Sequence, residues 1–215
     1  TELFMLPFFA WVFPKTAQNL ENYRYYLLDA ARENAHKNGF NGAQYPWESA
    51  DDGSEQCPDW TIEPDGSCYR CYVAVYEHHV TAAVAYGIYD YVKITGDIDF
   101  LYTKGAEILT ETARFWASRC EYNNEQDRYE INQVTGPDEW HEPVNNNLYT
   151  NYLARWNLKY VLSLLEVMKK EETSSYNELV EKTGLTEMET AKWKEVQEKI
   201  YPVSYTHLTP ADDKA

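Results

Sequence analysis

Apolar residues recur at three- and four-residue intervals along most of the chain, the spacing that lays side chains on one face of a helix. An opening run over 3–13 is apolar nearly all round; Pro7 would kink it if it is helical, and Pro14 ends it. Ala17, Leu20, Tyr23, Leu27, Ala31 and Ala35 then predict a single amphipathic helix over 15–38, stopped at Gly39. The period vanishes over 40–72, where Gly, Pro, Asp and Ser punctuate a long loop. It returns over 75–94, closed by Thr95-Gly96, and again over 98–120, where Asp97 reads as an N-cap. Leu101, Ile108, Leu109, Ala113, Trp116 and Cys120 form the buried stripe of that third helix.

A polar turn at 123–127 and a short alternating segment at 129–134 come next. Capping residues at 145–147 precede a helix over 148–170 with Trp156, Tyr160, Leu164 and Met168 along one face. A shorter helix begins at Ser175, and Thr186-Glu187-Met188-Glu189 spells a capping box ahead of a last helix carrying Trp193, Val196 and Ile200. Helix after helix with almost no strand predicts an all-α fold. No helical period continues past Val203, so the domain is expected to occupy 1–202, with 203–215 a foreign tail of the kind translated sequencing-adapter read-through gives.

Composition narrows the function. A net charge of −16 excludes a nucleic-acid partner, because phosphate binding needs clustered Lys and Arg. No apolar run approaches the roughly twenty residues that span a bilayer, so no membrane role is expected. The chain starts at Thr1 inside an apolar run, and no signal peptide can be read there. With 19 Tyr and 7 Trp the sequence is rich in rings that can pack on the flat C–H faces of sugars, although most such rings serve the core. Cys68-Tyr69-Arg70-Cys71 has a metal-like or redox-like spacing, but no second pair completes a site. The four cysteines therefore read as free thiols of a reducing cytoplasm, with no metal and no organic cofactor.

The candidate chemistry is concentrated in Val134-Thr135-Gly136-Pro137-Asp138-Glu139-Trp140-His141. Gly-Pro fixes a tight turn, and two adjacent carboxylates beside an indole favour the protonated form of one of them, as a general acid at neutral pH requires. The same residues also read as a solvated turn whose Trp plugs the core. Tyr45-Pro46-Trp47-Glu48 offers a second such pair: Trp47 can stack on a sugar and Glu48 accept its hydroxyls, or Trp47 can anchor the loop. His78 and His79, near the start of the second helix, read as structural histidines, with the alternative that one turns inward as a hydrogen-bonded group behind the site.

The motif 134–141, together with Asn146-Asn147 and Tyr149-Thr150-Asn151, closely resembles the catalytic signature of glycoside hydrolase family 65, whose bacterial members are mainly phosphorylases of α-linked glucose disaccharides. The resemblance continues in 1–9, 42–49, Glu77-His78-His79, Thr95-Gly96-Asp97 and 113–119, in one register over about the first 165 residues. It implies a partial (α/α)6 barrel, about half of the toroid, lacking the family's amino-terminal β-sandwich, the Trp-Asp pair before Thr1 and the downstream phosphate-binding loops. It implies Glu139 as the general acid of an inverting phosphorolysis, with Trp47, Glu48 and Trp140 at the substrate and Asp138, His141 and Asn146 supporting the loop. Disaccharide and inorganic phosphate would be the reactants, and the full-length protein a homodimer. The chain departs from the family at Asn145, usually Asp, and at Trp140, often Tyr. An inverting hydrolase of the same family and an inactive sugar-binding or structural helical fragment are the alternatives, and the truncated chain alone is expected to be inactive.

Overall fold

Two prolines decide how the fold begins. In the computed structural model, which describes residues 1–58, 60–139 and 143–203, Pro7 lies in the first turn of α1 (Leu6–Val12) and Pro14 opens α2 (Pro14–Tyr26). First-turn N–H groups have no intrahelical acceptor, so neither ring removes a hydrogen bond, and the expected kink at Pro7 does not form. The single helix expected over 15–38 is two. Leu27 leaves helical geometry (φ −98°, ψ 10°), and α3 (Leu28–Lys37) buries Leu28, Ala31 and Ala35. Leu28 thus takes the inward position that the spacing had given to Leu27. Gly39, at φ +82°, reverses the chain after α3.

The helix expected over 75–94 is also interrupted. A short α4 (Val73–Tyr76) ends at Glu77 (φ −84°, ψ 59°), and α5 (His79–Thr95) runs on to Gly96 at φ +71°. The third helix is one continuous run with an irregular first part. The Asp97 carboxylate accepts from the Phe100 N–H at 3.0 Å, α6 (Ile98–Phe100) passes into a π-helical turn (Leu101–Gly105), and α7 (Ala106–Arg119) follows. The later elements agree with the expectation: α8 (Leu148–Glu171) is capped by Asn147, α9 (Thr173–Thr183) follows, and the capping box of Thr186 and Glu189 opens α10 (Glu187–Lys199). Among the described residues extended structure forms two small antiparallel hairpins, β1 (Trp60–Ile62) with β2 (Cys68–Arg70) and β3 (Glu121–Asn123) with β4 (Arg128–Glu130). The described chain is mostly helical, as the pattern predicted.

The core lies between α5, α7 and α8. Helix α5 buries residues on nearly every side, because α1, α2, α7 and α8 all pack on it. Ile108, Leu109, Ala113 and Trp116 of the expected α7 stripe are fully buried, while Cys120 is half-buried. Much of the aromatic content is structural: Trp156 and Tyr160 of α8 stack at 5.4 Å and lock against Tyr86 and Tyr89 of α5. Around this core, Arg32 of α3 pairs with Glu107 (2.8 Å) and Glu111 (3.3 Å) of α7, and Lys182 of α9 reaches Glu107 at 2.5 Å. Burial alone would raise the Glu107 carboxyl; Lys182 and Arg32 more than offset it and hold it below the ordinary range.

Glu21 is the exception to this pairing. It is 1% exposed, its Oε2 lacks a hydrogen-bond partner, and burial, then the like charge of Glu2, push its carboxyl well above the usual range. A carboxyl raised on folding binds its proton more tightly in the native state, so it makes stability fall as pH rises above the unfolded value. Denaturant unfolding of Glu21→Gln beside the parent should therefore show the variant gaining on it with pH from about 4.3 upward, by up to about 1.4 kcal/mol per unit. A difference that does not change between pH 4.5 and 7 would show Glu21 ionised in the fold.

Candidate active site

Among its described residues the segment between β4 and α8 has no helix or strand, and three consecutive asparagines hold its two ends. The Asn145 side chain accepts from the Gln133 N–H at 2.9 Å, and that of Asn146 accepts from the Ile131 N–H at 3.1 Å and the Asn151 amide at 3.2 Å. Asn147 accepts from the Thr150 N–H at 3.1 Å and so starts α8. Val134 and Val144 exchange backbone hydrogen bonds of 2.9 and 2.8 Å, closing the two arms of the loop. Gly136 sits where the loop crosses Asn147: a Cβ there would lie 2.3 Å from the Asn147 amide nitrogen. Val134, Thr135 and Gly136 are buried, and Pro137, Asp138 and Glu139 are exposed.

The Trp47-Glu48 pair emerges from an equally fixed base. The segment read as loop at 42–46 is core: Ala43 and Tyr45 are buried, the Ala43 N–H donates to the Glu111 carbonyl at 3.0 Å, and the Tyr45 hydroxyl donates to the Arg24 carbonyl at 2.9 Å. Gly42 lies so close to α7 that a Cβ would meet the Glu111 carbonyl at 2.2 Å. Beyond this clamp, one carboxylate holds the turn. Glu55 accepts from the backbone N–H groups of Trp47 (2.6 Å), Glu48 (2.9 Å) and Cys57 (3.0 Å). Trp47 keeps 39% of its surface exposed, and Glu48 is exposed.

His79 joins the two bases. Its ring, at the first position of α5, meets Trp47 edge-on at 6.1 Å and Tyr149 at 5.4 Å. Its Nδ1 lies 3.3 Å from the Thr135 carbonyl, and its Nε2 lies 3.6 Å from Glu77 Oε2. A carbonyl can only accept, so Nδ1 carries the proton. Burial holds the imidazole below its ordinary value, with the Thr135 bond opposing. The Thr135 N–H donates to the Tyr76 carbonyl at 3.0 Å, so both backbone groups of Thr135 are held from the α4–α5 break. His78 is structural. Its Nδ1 accepts from Arg119 Nε at 3.0 Å while Nε2 donates to the Val75 carbonyl, and burial followed by the Arg119 charge pushes it down to about 3.

These contacts bring the foot of the Gly-Pro-Asp-Glu loop, Trp47 and Tyr149 around one histidine. Residues 1–208 match the family model of the glycosyl hydrolase family 65 central catalytic domain. The chain belongs to that family. It is 55% identical over 201 residues to a kojibiose phosphorylase of Caldanaerobacter subterraneus, an alignment covering 94% of this chain and 26% of the relative. An alpha,alpha-trehalose phosphorylase of Thermoanaerobacter brockii is 38% identical over 99% of this chain and 26% of its own. A solved structure of a human-microbiome protein provisionally named a kojibiose phosphorylase superposes with a TM-score of 0.81 at 29% identity, over 93% of this chain and 27% of that one. The chain thus spans about a quarter of the length of the curated relatives it matches.

In this family 65 chain the expected water-shielded carboxyl is not formed by the described residues. Asp138 and Glu139 stand exposed. Trp140 and His141 lie outside the described residues. Asn146 lies at the base of the loop, where it accepts from Ile131 and Asn151. Sequence reasoning missed Glu55, Tyr76 and Tyr149. Tyr149 belongs to the 149–151 motif, but no periodicity signals a carboxylate that collects backbone N–H groups or a carbonyl at a helix break. Among the described residues no group of three His, Cys, Asp or Glu is placed to hold a metal.

Asn146 also adopts φ +58°, a conformation costly for most side chains. Asn146→Ala loses the two accepted bonds and strains the backbone, at about 2–4 kcal/mol. Asn146→Gly keeps the backbone geometry and should cost less; equal loss in thermal or denaturant unfolding of the two variants would place the whole effect in the side chain.

Proposed function

We propose that the protein carrying this chain cleaves an α-linked glucosyl disaccharide with inorganic phosphate and inverts the anomeric centre, giving β-glucose 1-phosphate and glucose. The observation that carries this reading is the 55% identity to a kojibiose phosphorylase over 94% of the chain. Kojibiose is accordingly the first substrate to test, followed by maltose and trehalose. Glu139 is the general acid. It gives its proton to the glycosidic oxygen as the bond to the anomeric carbon breaks, and phosphate forms the new bond from the opposite face. An anionic nucleophile needs no carboxylate to deprotonate it, so one catalytic carboxyl suffices and no cofactor is required. Trp47 stacks on sugar and Glu48 accepts its hydroxyls, Trp140 excludes water from the acid, and Asp138, His141 and Asn146 support the loop.

The described residues leave Glu139 exposed, so a second wall is needed to close a cleft around it. The helices described here would make about half of an (α/α)6 toroid, and the remainder of a protein of the relatives' length would supply the opposite side of the cleft. Phe4 just before α1 and Phe8 and Trp11 on it, exposed by 90, 57 and 73%, leave an apolar face bare in the chain by itself. The complete protein is read as a cytoplasmic homodimer; among the described residues no helix is long and apolar enough to cross a membrane.

In the full-length protein Glu139→Gln should remove nearly all phosphorolysis of kojibiose while sparing α-glucosyl fluoride, whose leaving group needs no proton. Kojibiose turnover within a few-fold of the parent would remove Glu139 from the acid role. Turnover should also require phosphate. Release of two glucose molecules at the same rate without it would make the enzyme a hydrolase, which needs a second carboxylate about 6.5–9.5 Å from the acid. The 215-residue chain made alone should show no turnover, and robust phosphorolysis by it would contradict the two-walled cleft.

A further inference from the structure

The long segment between Glu48 and Tyr72 carries a feature the functional reading leaves unused. Cys57 precedes β1 and Cys71 follows β2, and the antiparallel register that pairs Trp60 with Arg70 brings the two ends of the hairpin together. Their Sγ atoms lie 3.9 Å apart although the residues are fourteen positions apart in sequence. Both thiols are free and half-buried, whereas Cys68 on β2 is exposed. A disulfide bond is about 2 Å shorter than this separation, a distance that side-chain rotation at the two ends of a loop can close.

Each cysteine is tied to a different side of the candidate site. The Cys57 N–H donates to Glu55, the carboxylate that also holds the backbone of Trp47 and Glu48. Cys71 leads into Tyr72, which stacks on Tyr76 at 5.4 Å, and the Tyr76 carbonyl holds Thr135. A covalent link between Cys57 and Cys71 would connect these two attachments directly.

We propose that Cys57 and Cys71 are a disulfide-forming pair that a low-molecular-weight disulfide oxidises, fastening the Trp47-Glu48 turn to the α4–α5 break. The Cys71 thiolate attacks the sulfur–sulfur bond of the small disulfide and releases one small thiol. The Cys57 sulfur then displaces the second, losing its proton as the protein S–S bond forms. The protein gives up two electrons and two protons, and the small disulfide becomes two thiols. Burial and the neighbouring Cys71 push the Cys57 thiol up to about 12. Cys120, also pushed up to about 12 by burial, has no cysteine beside it and stays reduced.

The test treats the full-length protein with oxidised glutathione, blocks remaining thiols and maps peptides without reduction. Cleavage at Asp65 separates Cys57 from Cys68, and cleavage at Arg70 separates Cys68 from Cys71. The expected product joins the Cys57 peptide to the one beginning at Cys71, in the parent and in Cys68→Ser alike. In the oxidised native protein, trypsin should also cut at Arg70 roughly tenfold more slowly, and reductant should restore the rate. A link through Cys68, glutathione remaining on Cys57 or Cys71 as the end product, or full blocking of both thiols after oxidation would overturn the proposal. Mapping requires no turnover, so its result stands apart from the assigned activity.

Discussion

A polypeptide segment without helix or strand keeps its form only if its backbone donors and acceptors find partners. At the two ends of the loop between β4 and α8 consecutive asparagine amides help to meet that need, bonding to the N–H groups of Gln133, Ile131 and Thr150. An amide is well suited to this because its carbonyl accepts from backbone while its NH2 remains free to donate, as the Asn151 amide does towards Asn146. The place from which Glu139 departs, the crossing at Gly136 and the start of α8 all follow from these bonds.

The fold was legible wherever a local rule acts alone. Capping predicted both the start of α8 at Asn147 and the box at Thr186 and Glu189. It was less legible where one spacing fits two structures. Apolar residues three and four apart continue across Leu27, so the sequence could not reveal that the chain changes phase there, and the same holds at Glu77. The 42–46 segment was read as loop because it lacks a period, yet Ala43 and Tyr45 are core; it is bonded to the Glu111 carbonyl and Thr81 rather than to a strand.

The site shows the same division. The motif identified which residues matter, but its bonds are made by backbone groups whose identity no side chain advertises, such as the Tyr76 carbonyl. The exposure of Glu139 was illegible for a different reason. Shielding of a carboxyl depends on every surface that faces it, and residues distant in sequence supply most of those surfaces.

The π-helical turn at Leu101–Gly105 has a consequence for how this chain tolerates change in length. Such a turn takes up a residue more than an ordinary one, so the helical stretches on either side keep the faces they would have without it. The cap at Asp97 and the acidic ladder of Glu107 and Glu111 therefore keep the relative phase of an unbroken helix. A homologue one residue shorter at this point can run as an unbroken α-helix and still direct both carboxylates at Arg32.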